Sequence, residues 1–198
     1  MKKNIIFDVG DVLMQYRWRD MLSDLGVPSD RIEEVGKELF QDPKRLWEES
    51  DLGRLTPDMM ASVYAEEYPS DADVIDFFIH HGEYMNVPRP RVWREVRRLH
   101  KSYHIYLLSN YSEDLFRKHT MYADFMNDID GLVVSYMIHE KKPHPAIYKA
   151  LLEKYSLDPS ECVFFDDRIE NVDGARSCGI DAVHVPDEET LLRILSEY

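Results

Sequence analysis

Four apolar runs in this chain each stop abruptly at polar residues. Ile5-Ile6-Phe7 gives way to Asp8, Ile105-Tyr106-Leu107-Leu108 to Ser109-Asn110, Leu132 to Ile138 to Lys141-Lys142-Pro143, and Val163-Phe164-Phe165 to Asp166-Asp167. Short apolar runs bounded by turn signals predict buried strands. Helical patterns separate them. Val92, Val96 and Leu99 share one face of a helix that starts near Pro90, Ser112 caps a helix through His119, and Pro145 opens a helix striped by Ile147, Tyr148, Leu151, Leu152 and Tyr155. A helix ending at Gly179, a short strand from Ala182 to Val185 and a last helix carrying Leu191, Leu192 and Leu195 follow. Strand alternating with helix implies a parallel sheet covered on both faces, a doubly wound α/β core.

The alternation lapses between Leu13 and about residue 88, where the pattern is helical throughout. Pro28-Ser29-Asp30 opens a helix from Ile32 to Phe40, and Thr56-Pro57-Asp58 opens another from Met59 to Tyr68, each with a Ser or Thr cap. Asp73 to His81 reads as a further helix closed by Gly82. The expected division is therefore a core of 1–15 and 88–198 with a small helical insert, 16–87, just after the first strand.

A chain of 198 residues, 44% of them hydrophobic, holds enough apolar surface for one moderate core plus an insert. Its net charge of −14, from 24 Lys and Arg against 38 Asp and Glu, repels nucleic-acid backbones and anionic membrane surfaces. No run of residues approaches the length of a membrane span. Cys162 and Cys178 show neither a CxxC pair nor metal-ligand spacing, so small buried thiols in a reducing cytoplasm are expected.

Polar residues at strand ends are where the chemistry is expected. An ionised carboxylate at the end of a buried strand is costly to desolvate unless a cation, a metal or hydrogen-bond donors receive it. In open α/β sheets the C-terminal edge of the strands is also where ligands bind. The basic group Arg91, Arg94, Arg97, Arg98 and Lys101 reads as the wet face of a helix, and the eight histidines as structural or solvated. Tyr16, Trp18, Trp47 and Tyr84 are read as packing residues, with a pocket lining as the alternative.

The four strand ends, in the order aspartate, serine-asparagine, lysine, paired aspartates, resemble the four motifs of the haloacid dehalogenase superfamily, most of whose members are magnesium-dependent phosphatases. The helical insert resembles the small cap of some members. Asp-Asp followed by Asn171 resembles the branch that contains sugar-phosphate phosphatases and the N-terminal phosphatase domain of soluble epoxide hydrolase. The resemblance implies Asp8 as nucleophile of an aspartyl-phosphate, Ser109 and Asn110 as phosphate-binding donors, and Lys142 as the neutralising cation, with Lys141 solvated. It implies Mg2+ held by Asp8, the Gly10 carbonyl and Asp167, with Asp166 and Asn171 behind them. The implied partner is a small phosphate ester admitted under the cap, with Leu46, Trp47 and the turn Asp51-Leu52-Gly53 setting specificity.

One position departs from that pattern. Where most phosphatases of the superfamily carry an acid two residues after the nucleophile, this chain has Gly10. General acid-base catalysis is worth about 10²- to 10⁴-fold, so the loss has consequences. A substrate with a stable leaving anion, such as a sugar 1-phosphate, would tolerate it; Asp11 would otherwise have to substitute. A metal-independent 2-haloacid dehalogenase and a low-activity phospho-ligand-binding protein are the alternatives, the former opposed by the paired Asp166 and Asp167.

Overall fold

In β1 (Asn4–Phe7) every residue is buried, because the strand is covered on both faces. A computed structural model describes residues 2–198. Its five-stranded sheet runs in the order β5 (Gly131–Val134), β4 (His104–Ser109), β1, β6 (Cys162–Asp166), β7 (Asp181–His184), and all four pairings are parallel. Alternate side chains enter two separate cores, as the two-residue period of a strand requires. Ile5, Phe7, Ile105, Leu107, Val163 and Phe165 join one; Ile6, Tyr106, Leu108, Cys162 and Phe164 join the other. The helices α6 (Pro90–Leu99), α7 (Glu113–Thr120) and α11 (Glu188–Leu195) bring their buried residues to the first core. Those of α9 (Pro145–Tyr155), together with Val172 and Ala175 of α10 (Ile169–Ser177), complete the second.

Between residues 18 and 80 lie five helices, α1 (Trp18–Asp24), α2 (Ile32–Phe40), α3 (Leu46–Asp51), α4 (Pro57–Glu67) and α5 (Ala72–His80). Their ends are joined by an antiparallel ribbon, β2 (Met14–Tyr16) with β3 (Asn86–Pro88), which the sequence pattern did not announce. Three residues per strand are too short for a periodic signal. Thr56 caps α4 by accepting from Met59 N, but no Ser or Thr caps α2, whose N-cap is Arg31. The run expected to be a strand as far as Ile138 leaves the sheet at Val134 and becomes a single helical turn, α8 (Ser135–Ile138). Ser135 draws the chain away: its hydroxyl accepts from Tyr111 N and donates to the Asp51 carbonyl.

A ladder of aromatic contacts holds the helical segment together. Phe40 packs edge-on against Trp18, Trp47 and Phe78 at centroid distances of 5.4, 4.8 and 6.0 Å. Gly36 permits this, since a Cβ there would lie 2.5 Å from the Trp18 ring. Cys162 is buried and Cys178 only partly so; both are free thiols. Among the described residues no helix is long and apolar enough to cross a membrane.

Candidate active site

Neighbouring strands β4, β1 and β6 deliver Ser109, Asp8 and Asp166 to one edge of the sheet, and Lys142 reaches them from the turn before α9. Asp8 Oδ1 accepts from its neighbour Val9 N at 2.7 Å, from the Ser109 hydroxyl, and from Lys142 Nζ at 2.9 Å. Among the described residues nothing donates to Oδ2, although Asp8 lines the cavity over the sheet edge. One oxygen of the carboxylate is thus anchored while the other is available.

Asp166, with 0% of its surface exposed, is more fully engaged. Its Oδ1 accepts from Arg168 N (2.9 Å) and Asn171 Nδ2 (3.0 Å), and its Oδ2 from Lys142 Nζ (2.7 Å) and Asn171 Nδ2 (3.1 Å). A carboxylate offers about four lone-pair positions, so little is left for a further ligand. Asn110, one of the two implied phosphate donors, places its amide on the Lys142 main chain: Oδ1 accepts from Lys142 N at 2.8 Å and Nδ2 donates to Lys142 O at 3.0 Å. Ser109 donates to Asp8 in the same way, and both side chains therefore position the carboxylate and the lysine.

Burial works against the Lys142 ammonium, but Asp166 and Asp8 outweigh it and hold its pKa above the ordinary value. Burial pushes Asp8 up to about 7, with Lys142 opposing and Asp166 and Asp167 adding to the rise. Asp167 is pushed up to about 6 by burial and by the charges of Asp166 and Asp11. Asp8, Asp166 and Asp167 each offer an oxygen within 4.8 Å of the others. Three carboxylates facing one ammonium leave a formal charge of −2, and carboxylate oxygens are the donors a hard divalent cation prefers. The donor set therefore fits such an ion. Asp8 and Asp167 have free oxygens to hold it, and the Gly10 carbonyl lies in the turn beside Asp8.

Above this edge lies a cavity of about 780 Å³, whose far wall comes from the helical segment through Trp18, Phe40, Gln41, Arg45 and Trp47. Tyr16 lines it as well, whereas Tyr84 is exposed and lies outside it. Of the residues expected to set specificity, Trp47 and Asp51 face the cavity, while Leu46, Leu52 and Gly53 do not line it. Lys141, expected to be solvated, is paired with Glu48 of α3, which lies 93 residues away in sequence. The sequence also offered no sign of Arg89 and Trp93. Arg89 donates to the carbonyls of Asp11 and Val12, and Trp93 Nε1 to that of Leu13 at 2.6 Å, which together hold the turn that follows Asp8.

The family model for haloacid dehalogenase-like hydrolases matches residues 2–179. The chain belongs to this family. It is 25% identical over 197 residues to the D-ribitol-5-phosphate phosphatase of Bacteroides thetaiotaomicron, covering 91% of this chain and 90% of that one. It is 28% identical over 194 residues to the drimenol cyclase drtB of Aspergillus calidoustus; that match covers 95% of this chain but 35% of the cyclase, so the chain spans about a third of its length. A crystal structure of a haloacid dehalogenase family enzyme from Bacteroides thetaiotaomicron, in complex with magnesium and inorganic phosphate, superposes with a TM-score of 0.74 at 22% identity, over 93% of this chain and 94% of that one. At that identity the superposition establishes the shared α/β fold. Membership makes the protein a hydrolase, and a divalent cation is the family's usual cofactor.

Proposed function

We propose that the protein is a magnesium-dependent phosphomonoesterase acting on a small phosphorylated metabolite through an aspartyl-phosphate on Asp8. The observation that carries this reading is the division of labour within Asp8: Oδ1 is fixed by three donors while Oδ2 accepts none among the described residues. A nucleophile held by one oxygen and free at the other is pre-aimed at a bound phosphorus. In the first step Oδ2 forms a bond to phosphorus as the bond to the ester oxygen breaks; in the second, water hydrolyses the aspartyl-phosphate. Lys142, anchored between Asp8 and Asp166, offsets negative charge on the phosphoryl oxygens in both. A magnesium ion held by Asp167 and the Gly10 carbonyl, next to Asp8, would neutralise the remaining charge of the carboxylates and of the phosphate. Asp166 and Asn171 hold Lys142 in place.

The helical segment 16–87 acts as a cap on the core formed by 1–15 and 88–198. The Lys141–Glu48 pair and the hydrogen bonds from Ser135 and His139 to the carbonyls of Asp51 and Leu52 are among the contacts that opening would break. Similarity to a ribitol-phosphate phosphatase favours a polyol or sugar phosphate, and Gln41 and Arg45 give the cavity wall hydrogen-bonding groups for hydroxyls.

Phosphate release from p-nitrophenyl phosphate, a sugar 1-phosphate and ribitol 5-phosphate, with magnesium and with chelator, tests the reading. Release that requires magnesium and vanishes in Asp8→Asn is expected. No release from any ester would overturn it, and halide release from a 2-haloacid would replace it with dehalogenation.

A further inference from the structure

When a phosphate ester is cleaved, the electron pair of the breaking P–O bond passes to the leaving oxygen. For an alkyl ester this oxygen becomes a poorly stable alkoxide unless a donor meets it. Most groups beside Asp8 are already committed. Lys142 bridges Asp8 and Asp166, Ser109 donates to Asp8, and the Asn110 amide is held by two bonds to the Lys142 main chain. Asp11 stands in the left-handed region (φ 52°), with its carboxylate accepting from Tyr16 N at 3.0 Å.

That bond, with the bridge between Gly10 and Met14, folds the chain back so that Tyr16 returns over Gly10. A Cβ built on Gly10 would lie 2.5 Å from the Tyr16 hydroxyl and 2.6 and 2.7 Å from ring carbons Cε2 and Cζ. The phenol thus occupies the volume that a side chain at position 10 would fill, two residues from the nucleophile, and both residues line the cavity with Asp8.

The surroundings leave the hydroxyl its own proton to donate. His119 Nε2 is 2.8 Å from the Gly82 carbonyl, which makes this nitrogen the protonated one. Nδ1 is then an acceptor, and the Tyr111 hydroxyl, 3.3 Å away, donates to it. With its proton so placed, Tyr111 has none left to donate to Tyr16, whose ring stands edge-on to it at 6.1 Å. Burial keeps both phenols protonated, and Tyr16 carries a proton that it can turn toward a ligand.

We propose that the Tyr16 hydroxyl is the hydrogen-bond donor to the leaving-group oxygen, occupying the space left open by Gly10. The inference rests on the phosphomonoesterase reading. As the Asp8–phosphorus bond forms and the ester bond breaks, Tyr16 stabilises the charge gathering on the leaving oxygen, which takes its proton from water as it departs.

Leaving-group dependence tests this. Removing one preorganised donor to a developing oxyanion costs about 10²- to 10³-fold. Tyr16→Phe should lower kcat/KM for an alkyl phosphate by about that factor. The loss for p-nitrophenyl phosphate, whose leaving oxygen is already stable, should be less than about fivefold by the same reasoning. A second comparison guards against a folding defect: Gly10→Asp alone should be inactive because it collides with the ring, whereas Gly10→Asp added to Tyr16→Ala should raise alkyl-phosphate hydrolysis at least about tenfold above Tyr16→Ala. Equal losses of Tyr16→Phe on both esters, or no loss on either, would overturn the role of Tyr16 while leaving an Asp8-dependent phosphatase intact. If the wild type releases phosphate from no ester, the phosphomonoesterase reading falls and this inference with it.

Discussion

The charged sheet edge and the aromatic wall that faces it are built on opposite principles. At the edge, Asp8, Lys142 and Asp166 are buried and tied to one another by directed bonds of 2.7 to 2.9 Å, so each group has one place to be. Across the cavity, Trp18, Phe40 and Trp47 are held by edge-on ring contacts at 4.8 to 5.4 Å, which fix a shape but leave room for adjustment. Removing one partner of a buried ion pair leaves an uncompensated charge, whereas trimming a ring removes only contact area. A wall of this second kind can change to suit a substrate without disturbing the chemistry beneath it.

The largest break in this comparison should come at Asp8, the proposed nucleophile. Asp8→Asn keeps the shape and most hydrogen bonds of the side chain, so the fold should survive while phosphate release falls by at least about 10³-fold, as expected for loss of a covalent nucleophile. Circular dichroism alongside a phosphate assay separates the two effects. Lys142→Met strands Asp8 and Asp166 without their cation and should cost about 3–5 kcal/mol of stability in urea unfolding, in addition to abolishing activity.

A buried histidine that stays neutral, His119, lets pH probe a third kind of contact. Burial pushes His119 down from 6.5 to about 4, and the Gly82 carbonyl that accepts from its Nε2 opposes the shift without outweighing it. The unfolded chain takes up a proton near pH 6.5 that the folded one refuses until about pH 4, so this group's contribution to stability is lost as the pH falls through that window. At about 1.36 kcal/mol per pKa unit, the stability advantage of wild type over His119→Gln should shrink by about 3 kcal/mol between pH 7 and pH 4, measured by urea unfolding at each pH.

The smallest effect belongs to the wall. Trp47→Ala removes an edge contact with Phe40 and a tilted one with Phe78, worth about 1 kcal/mol each. Its expected signature is a higher KM with kcat within about threefold, read from steady-state kinetics on the best substrate found.

Much of the sheet edge could be read from the chain alone, since apolar runs ending in Asp8, Ser109, Lys142 and Asp166 are local patterns. Local pattern misleads where a distant partner decides the outcome. Ser135 leaves the sheet because it bonds to Asp51 of α3, and Lys141 is half-buried because Glu48 meets it. Asn110 lines the cavity, but the two bonds that tie its amide to the main chain of Lys142, 32 residues away, have no local signal.

Hydrophobic period and turn residues by themselves determined that this chain forms a doubly wound α/β sheet interrupted by helices, because burial on two faces imposes its pattern on every strand. The residue types at the strand ends likewise determined that one edge would gather carboxylates, a lysine and hydroxyl or amide groups. Only the tertiary structure decided which oxygen of Asp8 is free, which carboxylate is already saturated, and that Tyr16 fills the space beside Gly10. Those outcomes depend on distance and direction between residues far apart in sequence, and hydrogen bonding and steric exclusion act over a few ångströms in space whatever the separation along the chain.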